Sequence, residues 1–182
     1  MGRPTLFHHH VAAASDHALA VALIGASATV IVAVAGGLAA YLANKRQQRR
    51  LLYSEAIKAA VGWKEMLYRV RRREKGLERE LINKFHDLQD QISYYQAWIG
   101  SESEHMQRSY DRLVSGVKAR TEDLITAAWN EKIRPVPGNA RPDDEHPNLS
   151  DLTDSFLVDV RDHLSPWWWR RRRVRKRNSE ER

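Results

Sequence analysis

Residues 77–99, LERELINKFHDLQDQISYYQAWI, decide the fold. Leu77, Leu81, Phe85, Leu88, Ile92, Tyr95 and Ile99 recur there in steps of four and three, which lines them along one side of an α-helix. Most of the positions between are charged or polar, with Ile82, Tyr94, Ala97 and Trp98 as exceptions. The helix therefore carries one apolar seam of coiled-coil type and has to bury it against another helix.

Working outward in the C-terminal direction, Gly100-Ser101 interrupts the seam, and Ser101-x-x-Glu104 has the form of a capping box. It predicts a new helix with Met106, Tyr110, Leu113, Val117, Leu124, Ala128 and Trp129 on one side. Two long helices with a short break between them fold back antiparallel, with Leu88, Ile92, Leu113 and Val117 expected inside. In the N-terminal direction, Tyr53, Ala56, Ile57, Ala60, Trp63, Leu67 and Val70 keep helical spacing. Arg71, Arg72, Arg73 and Lys75 suit the negative end of that helix, and Gly76 suits its C-terminal cap.

Residues 134–149 hold four prolines and the acidic run Asp143-Asp144-Glu145, so they read as a loop. Residues 150–165 return to helical spacing through Leu152, Phe156, Leu157, Val160 and Leu164, with Asn148 or Ser150 as N-cap and Pro166 as the stop. The expected fold class is all-α, with an N-terminal transmembrane helix followed by a cytoplasmic antiparallel helical hairpin or bundle.

The transmembrane expectation rests on Ala18 to Ala43, which has no charged residue and is apolar apart from Ser27 and Thr29. Its 26 residues give roughly 39 Å of helix at about 1.5 Å per residue, more than a hydrocarbon core of ~30 Å requires. A cleaved signal peptide is the rival reading, through Ala33-Val34-Ala35. The charge asymmetry opposes it, because Arg3 and the N-terminal amine are the only standing positive charges before the run whereas Lys45, Arg46, Arg49 and Arg50 follow it. By the positive-inside rule, residues 1–17 form an exported tail, 18–43 cross a cell membrane once, and the chain from 44 onward is cytoplasmic. Residues 44–133 would then be the juxtamembrane helix and hairpin. Gly25, Thr29, Ala33 and Gly37 recur every fourth residue and could form a homodimer ridge in the span, although chance spacing in so alanine-rich a run explains them as well.

The net charge of +7 is local. Residues 170–177 contain seven basic side chains and no acid, leaving 23 basic against 23 acidic residues elsewhere. A generally basic, nucleic-acid-coating surface is thereby excluded. Residues 166–182 form a basic tail in which Trp167, Trp168 and Trp169 run directly into Arg170, Arg171, Arg172, Arg173, Val174, Arg175, Lys176 and Arg177. Indoles favour the membrane interface and juxtamembrane cations attract anionic lipid, so these tryptophans and cations are the candidate membrane-surface residues. Nucleic acid could use the same side chains for stacking and phosphate contacts, but adjacent tryptophans make a poor spaced platform. An unbound basic end is the third reading.

Searching for catalysis returns little. Cysteine is absent, which removes thiol nucleophiles and thiolate metal sites. No phosphate loop, HExxH pair or GxSxG elbow occurs. His86-Asp87 and Asp162-His163 are adjacent on helices and point about 100° apart, so each reads as part of a solvated face rather than as a base with its orienter. His8, His9, His10 and His17 lack a fixed geometry, and Asp143, Asp144, Glu145 and His146 read as a soluble acidic loop. No catalytic residue, metal site or cofactor is expected. The function expected is that of a membrane-anchored scaffold or interaction protein with an unidentified protein partner, the alternative being a membrane-tethered nucleic-acid-binding protein or an enzyme of unrecognised type.

The segments LLYSEAIKAAVGWKEMLYRVRRR, HDLQDQISYYQAWIGSESEHMQRSYDRLVSGVKA and FLVDVRDHLSPW resemble a group of uncharacterised actinobacterial single-pass membrane proteins, phage-carried ones among them. The resemblance spans most of Arg50 to Trp167. The chain departs from that group at Met66, where the group's usual residue is proline, which bears on the helix shape near Leu67. The resemblance implies an actinobacterial envelope setting, and no activity or site residue to carry over.

Overall fold

A computed structural model describes residues 9–133 and 146–179, with side chains described from Val32 onward except Ala33. The described residues form helices and no strand: α1 (His9–Arg71), α2 (Glu78–Glu102), α3 (Glu104–Asn130), α4 (Ser150–His163) and α5 (Trp168–Arg177). The chain divides into two compact units, 1–48 and 49–182.

In the first unit, α1 exposes Val32, Val34, Leu38, Tyr41 and Leu42. Among the described residues, no atom beyond its chain neighbours and its own helix's backbone lies within 4 Å of the place where a Cβ on Gly37 would stand. Over the described residues alone, no helix is long and apolar enough to cross a membrane. Residues 18–31 and 33, most of the expected span and with it the side chains of Gly25, Thr29 and Ala33, lie outside the described side chains. So do the exported-tail residues His8 to His10 and His17, and the loop residues 134–145.

In the second unit the helices form a bundle whose neighbours in sequence are antiparallel. Trp63 packs on Phe85 and Gly62 meets Leu88, while Arg49 at the other end pairs with Glu102 at 2.6 Å, so α2 runs back along α1. Gln96 donates to Asp111 at 2.9 Å, which aligns α2 and α3 as a hairpin. Ser109 reaches Asp159 and Arg120 reaches Asp151, so α4 runs back along α3. Arg171 reaches Ser165 and Arg177 reaches Asp159, so α5 runs back along α4.

The core follows the sequence stripes. Tyr53, Ala56, Ala60, Ile92, Ile99, Met106, Tyr110, Leu113, Val117, Phe156 and Val160 bury together. A second cluster of Met66, Leu67, Val70, Leu81 and Ala128 closes the far end. Leu88 is only half-buried, and Leu77 and Leu157 are exposed. Helical periodicity names a side of the helix, and a position at the edge of that side reaches solvent where no neighbour covers it.

The ends of the helices differ from the sequence expectation in a consistent way. The expected break at Gly100-Ser101 is absent: α2 continues to Glu102, and Ser101 hydroxyl donates to Trp98 carbonyl within its own helix. Ser103 is the N-cap of α3 and accepts from the Met106 backbone at 3.4 Å. One extended residue therefore suffices to reverse the chain. Gly76 has φ +94 but sits in the turn before α2, not at the end of α1. Neither Asn148 nor Ser150 is the N-cap of α4: Leu149 stands there without a side-chain cap bond, and the Asn148 side-chain oxygen, one residue earlier, accepts from Ser150 backbone at 3.0 Å in an Asx turn. The C-terminus of α3 is capped from the α1–α2 connection: Arg73 guanidinium donates to the carbonyls of Ala128 (2.6 Å), Trp129 (2.8 Å) and Glu131 (2.6 Å) and lies over the Trp129 ring.

Candidate lipid-facing surface and the polar network behind it

Residues 168–177 form a helix folded onto the bundle, not a free basic end. Val174 and Asn178, one turn apart, are buried and set the inward side of α5. Asp159 on α4 holds that side in place. Its carboxylate, 2 % exposed, accepts from Ser109 hydroxyl (2.7 Å), Arg177 Nε (2.9 Å) and Asn178 amide (3.2 Å). Asp162 accepts a further bond from Arg177 at 3.2 Å. From α3, Arg112 binds the Asn178 side-chain oxygen and Arg108 donates to its backbone carbonyl at 3.0 Å. Burial opposes the charge on Arg177, but the bonds and attraction to Asp159 and Asp162 outweigh it and raise the guanidinium above its ordinary range.

Ten cations and indoles were candidates for the membrane surface, and the fold divides them. Arg177 is committed to Asp159 and Asp162, and Arg171 donates to Ser165 carbonyl at 3.0 Å. Among the described residues, the side chains of Arg170, Arg172, Arg173, Arg175 and Lys176 make no hydrogen bond or ion pair, and all but the half-buried Arg170 are exposed. Trp167, Trp168 and Trp169 are 55 %, 65 % and 44 % exposed. Trp167 stacks on Trp169 at 4.7 Å, and Trp168 meets Trp169 edge-on at 6.3 Å. The outward side of α5 thus presents indoles at its start and unpaired cations after them.

A second polar cluster sits where the first residues of this unit meet the α2–α3 junction and the end of α4. Tyr53 and His163 rings meet edge-on at 6.1 Å, and Arg49 pairs with Glu102. Among the described residues, Tyr53 hydroxyl, Glu102 Oε2 and His105 Nδ1 are buried without a hydrogen-bond partner of good geometry, although the Tyr53 hydroxyl lies by the Glu102 carboxylate. Burial first, then the charges of Arg49, Arg171 and His105, push the His163 imidazole down to about 4. Burial, then the Glu102 carboxylate, raises the Tyr53 phenol, with Arg49 working against them.

These two clusters correct the reading of Asp162-His163 as a solvated face. Asp162 is buried against Arg177 while His163 turns into the second cluster, because neighbouring helical positions face different neighbours and here both are covered. His86 and Asp87 do lie exposed on α2. His146 bonds Tyr68 hydroxyl at 3.1 Å, and Asp143, Asp144 and Glu145 lie outside the described residues. Among the described residues no group of His, Asp and Glu is arranged to hold a metal ion. The Asp159 network was missed from the sequence. Its signal was there: Asp159 interrupts the apolar stripe Phe156, Val160 just before a run of unneutralised arginines.

In class, the second unit is an all-helical bundle presenting a tryptophan–arginine surface helix. No family model, curated protein or solved structure matches the chain.

Proposed function

We propose that the protein is a single-pass membrane-anchored scaffold whose helical domain rests on anionic lipid through the outward side of α5. The observation that carries this reading is the division of the tail. Exposed indoles precede cations left without partners, while the inward residues spend their charge on the fold. Indole at the interface and arginine at anionic headgroups is the pairing that a lipid surface rewards.

The anchor is supported separately by Val32, Val34, Leu38, Tyr41 and Leu42, large apolar side chains left exposed along a helix that continues the uncharged run from Ala18. Lys45, Arg46, Arg49 and Arg50 follow and favour the cytoplasmic side. Only five residues of chain separate Ala43 from Arg49, the first residue of the bundle. Whatever the angle at that joint, lipid is then at high effective concentration and weak affinity at α5 suffices.

The test has two arms. A reporter active only outside the cytoplasm is fused before Met1 or after Arg182; activity at the C-terminal fusion would refute the topology. The full-length chain is also placed in nanodiscs of neutral or anionic lipid with brominated acyl chains. Indole quenching should be stronger in the anionic discs and weaken with salt, the Debye length falling from about 10 Å at 0.1 M to about 3 Å at 1 M. Equal quenching in both lipids, or its abolition by a random oligonucleotide at low concentration, would refute lipid as the partner.

A further inference from the structure

Resting on that reading, we propose that the outward side of α5 takes a particular ligand: a lipid headgroup bearing two phosphates, of the bisphosphatidylglycerol kind. A shallow furrow of 440 Å³ runs along this side, lined by Trp169, Arg172, Arg173, Arg175, Lys176 and Ser179. Among the described residues no carboxylate lines it and its four cations have no partner.

The cations stand at two levels. Arg172 and Arg173 form one, and Arg175 and Lys176 form the next, three or four residues on and about 5 Å further along the helix. A headgroup with one phosphate meets one level and leaves the other to solvent. Two phosphates joined by a glycerol bridge can meet both, and the second contact is then intramolecular and gains effective concentration. Guanidinium presents a planar fork that matches phosphate oxygens at either level. Trp169, backed by the stacked Trp167 ring, closes the N-terminal end of the furrow with an apolar wall where acyl chains can lie. The inward bonds of Arg177 and Asn178 hold α5 at fixed orientation, so the two levels face the same way without ordering the helix on binding.

The experiment compares lipids at matched surface charge. Full-length protein in neutral nanodiscs receives increasing brominated bisphosphatidylglycerol, or brominated phosphatidylglycerol at twice the mole fraction, and indole quenching is followed. Half-maximal quenching should need roughly tenfold less of the two-phosphate lipid, a difference of about 1.4 kcal/mol. Arg172→Gln with Lys176→Gln should abolish the preference. Lys75→Gln with Arg79→Gln removes the same charge from exposed positions on the α1–α2 side and should keep it. Circular dichroism checks that each variant is folded. Equal half-saturation at matched charge, or a preference surviving in the Arg172/Lys176 variant, would overturn this inference and leave lipid docking standing. Quenching by neither lipid would remove both.

Discussion

The Asp159 network and the Tyr53–Glu102–His105–His163 cluster are both polar groups taken out of water in one bundle, and they are built to opposite standards. Around Asp159 each carboxylate oxygen accepts from named donors on α3 and at the end of α5. In the other cluster three buried polar atoms have no partner of good geometry among the described residues, and His163 is held neutral beside two arginines. Buried polarity stabilises only when its hydrogen bonds are made. The first cluster is therefore a fastener for α5, and the second is a place where the bundle gives up stability.

The largest expected effect breaks the fastener. Asp159→Ala leaves Arg177, Asn178 and Ser109 facing an empty site, and should cost about 3–5 kcal/mol, lowering the thermal midpoint by on the order of 10 °C. An unchanged midpoint would mean that α5 is not held there.

Next comes the acid limb. The His163 imidazole is depressed to about 4 in the fold against an ordinary 6.5, so between those values the unfolded chain binds more protons than the folded one. Stability is full above pH 6.5 and is lost as pH falls toward 4, by on the order of 2 kcal/mol after allowance for partial solvent screening. In denaturant titrations His163→Gln should flatten that limb; an unaltered slope would clear His163 of the effect.

A matched pair of tyrosines sharpens the contrast. Tyr110 hydroxyl donates to Ala56 carbonyl at 2.9 Å, whereas Tyr53 hydroxyl has no partner of good geometry among the described residues. Tyr110→Phe should cost about 1 kcal/mol and Tyr53→Phe should be neutral or slightly stabilising. The reverse order in urea midpoints would contradict the two-cluster picture. The smallest effect belongs to the outward side of α5: Arg172→Gln with Lys176→Gln should leave the thermal midpoint unchanged while weakening quenching by anionic lipid.

The sequence by itself determined the helices and most of their buried sides. Helical spacing is a local property, written in steps of three and four along Tyr53–Val70, Leu81–Ile99 and Met106–Ala128, and burial of those stripes requires no knowledge of the partner. It also located the net charge in residues 170–177. It did not reveal where the chain turns, because Ser101, with Glu104 three residues on, is the better cap in isolation, yet α2 continues past the glycine through the packed residues Trp98 and Ile99 and Ser103 takes the cap. Nor did it separate Arg171 and Arg177, which the fold consumes, from Arg172, Arg173, Arg175 and Lys176, which it leaves to solvent. Eight basic or apolar residues in a row look alike in sequence. Only the tertiary structure brings Asp159 and Asp162 on α4 against one side of α5, and a charge becomes structural when its partner arrives from elsewhere in the chain.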